Sequence, residues 1–123
     1  MDALFWIRAG AAMMFIVVAM GAFGAHALKD KLTVEMKAIF ETAVRYQAYH
    51  ALGLFVVAWL ASRFPSKPVN MAGWCFLVGI ILFSGSLYAL SLTEIKKFGA
   101  IAPLGGLLFL LGWLALLTAS CRS

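Results

Sequence analysis

Charge is what this chain has least of: Asp, Glu, Lys and Arg make up 12% of its residues, against about 25% in an ordinary soluble domain, and only five residues are acidic. The scarcity is patterned. None of the four types occurs in residues 9–28, 46–62, 68–93 or 98–121, windows of 20, 17, 26 and 24 residues that together take up 87 of the 123 positions. At a helical rise of about 1.5 Å per residue these windows extend roughly 26 to 39 Å, which brackets a hydrocarbon core of about 30 Å. Too little lies outside them to build a separate soluble core, so any chemistry must sit within or beside the apolar segments. Composition agrees, at 64% hydrophobic residues and a mean hydropathy of +0.98.

Cysteine is nearly absent as well. Cys75 and Cys121 make neither a C-x-x-C pair nor a metal spacing, which excludes a thiolate zinc site and a disulfide scaffold. They read as free thiols, with a bridge left open only because the third apolar segment begins on the side where the fourth ends. Period-two alternation is also missing, and in hydrocarbon each backbone amide must find its partner inside its own segment, so the segments are α-helices. The net charge of +5 invites a nucleic-acid reading, but the ten basic residues are scattered over the ends of the apolar windows. There they act as snorkelling anchors, and the partner they imply is the lipid bilayer rather than nucleic acid. Arg8, the apolar run after it and Ala25-His26-Ala27 imitate a secretory signal with an A-x-A site. Twenty uncharged residues exceed the usual signal core, so this segment is expected to stay in the protein.

The expected fold is therefore all-α: a polytopic membrane protein of one domain, residues 1–123, with four antiparallel spans over residues 4–28, 46–63, 70–92 and 99–120. The clearest break is Phe64-Pro65-Ser66-Lys67-Pro68, where each proline disfavours helix at the residue before it. Pro103 falls in the first turn of the last helix, where a missing amide matters least. Residues 33–45 carry Met36, Ile39, Phe40 and Ala43 on one stripe and Glu35, Lys37, Glu41 and Arg45 largely elsewhere, the pattern of an amphipathic interfacial segment. Thr33 is its expected N-cap. It runs straight into the second span or kinks near Arg45. Loops one and three hold Lys29, Lys31, Lys37, Arg45, Lys96 and Lys97, while the other side holds Arg8, Arg63, Lys67 and Arg122, a bias that puts both termini on the periplasmic side.

Four strings then occur in order, Gly21-Ala22-Phe23-Gly24-Ala25-His26, Tyr46-Gln47-Ala48-Tyr49-His50, Phe83-Ser84-Gly85-Ser86-Leu87-Tyr88 and Pro103-Leu104-Gly105-Gly106, with Phe109-Leu110-Leu111-Gly112-Trp113 after them. The set resembles the small bacterial membrane proteins grouped as domain of unknown function 423, to which eukaryotic transmembrane protein 256 is similar, and the resemblance runs over essentially the whole chain. It implies a four-span protein of the bacterial inner membrane, with no established reaction, substrate or cofactor. Where the family pattern often has a glycine after the third span, this chain reads Leu92-Thr93-Glu94.

Measured from the nearest charged residue, His26, His50 and Tyr88 share one depth, about 4 to 9 Å below the surface on the side of loops one and three. Tyr46, Gln47 and His50 share a helical face, as do Ser84, Tyr88 and Ser91, and polar groups at membrane depth face the bundle interior. These seven residues form the candidate ligand-binding set, a shallow polar pocket around His26 and His50. Gly21, Gly24, Ala25, Gly53, Gly85, Gly105, Gly106 and Gly112 form the candidate helix-packing set. Trp6, Trp59, Trp74 and Trp113 read as interface anchors. A metal site on the two histidines with Glu41 or Glu94 lacks an H-x-x-x-H pair or a cysteine partner, so no metal, cofactor or catalytic residue is assigned. Three readings stay open. The preferred one is a structural, assembly or accessory protein, which should tolerate His26→Ala and His50→Ala individually. The second is a small-solute, ion or proton pathway formed by a homo-oligomer, and the third is metal, ligand or lipid binding at the pocket. No protein partner is indicated.

Overall fold

The computed structural model describes residues 3–121, with side chains through residue 119. Four α-helices follow one another: α1 (Ala3–His26), α2 (Val34–Arg63), α3 (Lys67–Thr93) and α4 (Ala102–Cys121), with a 3₁₀ turn over Lys96–Ala100 leading into the last. No strand occurs among the described residues. Local chemistry sets the boundaries. At the end of α1 the amides of Ala27 and Leu28 both turn back on the Phe23 carbonyl, at 2.8 and 3.2 Å, before the polar run Lys29-Asp30-Lys31. Thr33 caps α2, its hydroxyl accepting from the Met36 amide at 3.1 Å. Pro65 forces Phe64 out of helical geometry and ends α2. Ser66 then caps α3, so Pro68 falls inside its first turn and the helix starts three residues before Asn70, the expected start.

α3 ends at Glu94, which adopts a left-handed conformation at φ 59° and ψ 18°, with its amide donating to the Leu90 carbonyl at 2.7 Å. It is the only described residue other than glycine with positive φ. The position where the resembling family often carries glycine thus still makes a glycine-type C-cap, with a side chain in place of a hydrogen. Glu94→Gly should relieve the strain and raise stability by up to about 1 kcal/mol, partly offset by the greater freedom of glycine in the unfolded chain. Thermal melting in detergent checks this, and a lower midpoint would contradict it.

Three segments among the described residues are long and apolar enough to cross a membrane: Ala3–His26, Lys67–Thr93 and Lys96–Ala119. α2 is not among them, because Tyr46, Gln47, Tyr49 and His50 dilute the apolar half that follows its charged first turns. It is nevertheless one unbroken 30-residue helix with no kink at Arg45. Its Met36, Phe40 and Ala43 are buried while Glu35, Glu41 and Arg45 are exposed. α2 and α3 form the middle of the molecule, α1 lies against α2, and α4 lies against α3. α1 accordingly buries only Trp6, Gly10 and Val17. The shared core collects Trp6, Leu54, Val57, Phe76, Ile80 and Phe109 from all four helices.

Several small-residue and tryptophan assignments need correction. Gly24, Gly53, Gly105 and Gly112 are points of close approach, where an added Cβ would press on Phe40, Phe76, Phe83 and Phe76 respectively. Gly85 has nothing within 4 Å of such a Cβ, Gly21 has only Val44 at 3.9 Å, Gly106 has only the Phe83 ring at 3.8 Å or more, and Ala25 is exposed. The reason is geometric: spacing tells which small residues share a face, not which face meets a neighbour. Gly73 and Gly79, absent from that set, receive Trp6 and Phe109. Trp6 is no interface anchor, being wholly buried over Gly73 with its ring 5.4 Å from that of Trp74. Cys75 is a half-buried free thiol, whereas the side chain of Cys121 lies outside the described residues.

Candidate functional site

α2 carries the polar centre, and its side chains reach each of the other helices. Gln47 is 2% exposed; its Nε2 donates to the Met13 carbonyl of α1 at 3.0 Å, and its Oε1 accepts from the Tyr88 hydroxyl of α3 at 2.6 Å. Ser84 of α3 donates back to the Ala43 carbonyl of α2 at 2.7 Å. The fourth helix joins through His50, whose Nε2 lies 2.9 Å from the Trp113 indole nitrogen. An indole N–H can only donate, so Nε2 accepts, and the ring proton sits on Nδ1, which donates to the Tyr46 carbonyl at 2.8 Å. The imidazole also lies flat on Phe109, with ring centroids 3.5 Å apart and planes 6° from parallel. Both ring nitrogens are committed in a single neutral tautomer.

The remaining members of the expected set divide. Ser91 is buried and donates to the Tyr88 carbonyl of its own helix at 3.0 Å. Tyr46 is partly exposed and contributes its carbonyl and its ring, 4.9 Å from that of Phe83. His26 stands apart altogether. Gly24 of α1 meets Phe40 and Met13 meets Gln47, so His26 is level with the start of α2. From Phe40 to His50 is ten residues, about 15 Å along the axis. The shared depth inferred from charge spacing fails because α2 runs unbroken for three turns before Arg45, so Arg45 does not mark the end of the helix that lies beside His26. The single pocket around both histidines is therefore two separate features.

The second feature is an open groove of about 580 Å³ between the end of α1 and the start of α2, with His26, Lys29, Lys37, Glu41 and Arg45 among its lining residues. No group of three or more His, Cys, Asp or Glu among the described residues is placed to share a metal ion. Trp113, Phe109 and the Met13 carbonyl were not legible as partners of the polar centre. The one available signal was the string from Phe109 to Trp113, which spacing alone cannot connect to His50.

A bundle of long apolar helices with its polar side chains turned inward and bonded to one another is the construction of a multi-pass helical membrane protein. The chain belongs to the family described as protein of unknown function (DUF423), which matches residues 20–106 and so takes in α2, α3 and the groove. It is 49% identical over 117 residues to a UPF0382 membrane protein of Staphylococcus epidermidis, covering 95% of each chain. It is 46% identical over 118 residues to the UPF0382 membrane protein YwdK of Bacillus subtilis, covering 95% of this chain and 96% of the relative. No solved structure matches.

Proposed function

We propose that this is a four-span structural or accessory protein of the bacterial inner membrane, in which α2 crosses the bilayer as the strut that ties the other three helices together. The observation that carries the reading is the destination of the polar groups of α2. Gln47 and His50 lower its hydropathy, yet both are buried and bonded to neighbouring helices, so they need not meet lipid. Trp6 Nε1 apart, every buried side-chain nitrogen and oxygen among the described residues has a hydrogen-bond partner. That leaves the interior engaged in packing rather than free for substrate or ion. In this reading the charged first turns of α2 lie at headgroup level as an amphipathic extension, and the Lys and Arg bias supports a cytoplasmic side for loops one and three.

Topology reporters inserted near residues 30, 65 and 95 and fused at the C-terminus test the crossing. The expected result is alternation, with cytoplasmic activity at 30 and 95 and periplasmic activity at 65 and the terminus. The same side for 30 and 65 would remove α2 from the membrane. The packing role is tested on His50, whose loss should damage the fold and not a flux alone.

A further inference from the structure

The polar side chains that line the groove between α1 and α2 take no part in the hydrogen bonds of the polar centre. Its lining holds the side chains of Lys29, Lys37 and Arg45 and a single carboxylate, Glu41, above an apolar floor of Phe40 and Val44. The cations are arranged along the axis, since Lys37 and Arg45 lie eight residues and about 12 Å apart on α2. Gly21 faces Val44 at the inner end, where an added Cβ would have only the 3.9 Å contact to that valine, so the groove has apolar room there.

From this geometry we infer that the groove binds one anionic phospholipid, its headgroup phosphate among the Lys29, Lys37 and Arg45 side chains and the start of an acyl chain against Phe40, Val44 and Gly21. Charge fixes the sign of the ligand: three strong cations face one carboxylate. The floor fixes its class, because a free anion would leave Phe40, Val44 and the space over Gly21 unused, whereas an amphiphile fills both parts. Basic pockets between membrane helices at headgroup level are suited to anionic headgroups. The inference rests on the four-span reading in one respect only, that this end of the bundle lies at headgroup level.

The test is native mass spectrometry of the full chain, reconstituted in vesicles of equal parts phosphatidylglycerol and phosphatidylethanolamine and then released in mild detergent. Wild type should retain one phosphatidylglycerol per chain in preference to phosphatidylethanolamine. The Lys37→Gln, Arg45→Gln double variant should lose that lipid roughly thirtyfold, as two basic contacts to an anionic headgroup are removed. Gly21→Leu should lose it with every charge in place by filling the floor, while Lys31→Gln, outside the groove, should retain it. Equal retention of the two lipids by wild type overturns the inference, and this readout stands even if a variant does not fold. Retention unchanged in both groove variants also overturns it, as does displacement of the lipid by inorganic phosphate, which would assign the site to a free anion. Topology reporters that alternate as expected, together with lipid-indifferent binding, would remove the lipid site and leave the four-span reading standing.

Discussion

Gly105→Leu is expected to prevent α4 from docking on α3 and to leave little folded protein after extraction. A Cβ at this position would overlap the backbone nitrogen of Phe83 and stand 2.7 Å from its Cβ and 2.8 Å from its Cα. The obstruction is main chain, so no rotamer change can clear it; the helices themselves must separate. Even Gly105→Ala should destabilise by about 1–3 kcal/mol, the usual range for overpacking, and leucine by more. The damage should reach the polar centre, because α4 also carries Phe109 and Trp113 to the His50 ring. Gly85→Leu supplies the contrast. With nothing within 4 Å of its Cβ it should stay within about 0.5 kcal/mol of wild type. Thermal melting of the three variants in one detergent decides the matter. Similar midpoints for Gly105→Leu and Gly85→Leu would mean that α3 and α4 do not approach as described.

What could be read from the sequence depended on whether a property belongs to one segment or to a pair. The uncharged windows of α1, α3 and α4 are properties of single helices, and so were visible without a structure. The same holds for the Thr33 cap, which needs only Met36, and for the stop at Pro65. The position of Pro68 was misjudged because a proline breaks a helix interior but suits a first turn, and only the Ser66 cap distinguishes the two. Depth was misjudged for a related reason. Counting from Arg45 treated a charge as the water surface, although a continuous helix can carry that charge three turns below its start. Of the seven polar candidates Gln47, His50, Ser84 and Ser91 are buried, but the face that each shares with its neighbours in sequence does not tell which helix supplies the partner. The α4 partners of His50 depend on a register between two helices, His50 and Trp113 being 63 residues apart in sequence. Gly73 illustrates the same limit, since its importance comes entirely from Trp6 on another helix.

His50→Ala is where the packing role and a conduction role part. The structural reading of the sequence expects His26→Ala and His50→Ala to be tolerated individually, and that expectation is kept for His26, which is exposed at the rim of the groove. His26→Ala should therefore melt within about 0.5 kcal/mol of wild type. For His50 the expectation reverses. Its ring is 4% exposed, stacks on Phe109, and is the acceptor for the Trp113 indole. Truncation to alanine opens a cavity beside an aromatic face and removes the hydrogen bond that ties α2 to α4, together worth about 2–4 kcal/mol. The loss should show as a lowered melting midpoint and a changed tryptophan emission from Trp113, with any transport readout falling only in proportion to folded protein. A conducting histidine predicts the opposite pattern, in which vesicles lose a proton or solute flux while melting is unchanged. The local geometry favours the first, because both nitrogens of His50 are already bonded and a second ring proton would set two N–H groups against each other at Trp113. An unchanged midpoint in His50→Ala would show that the α2 and α4 contact carries no stability, and the strut role proposed for α2 would fall with it.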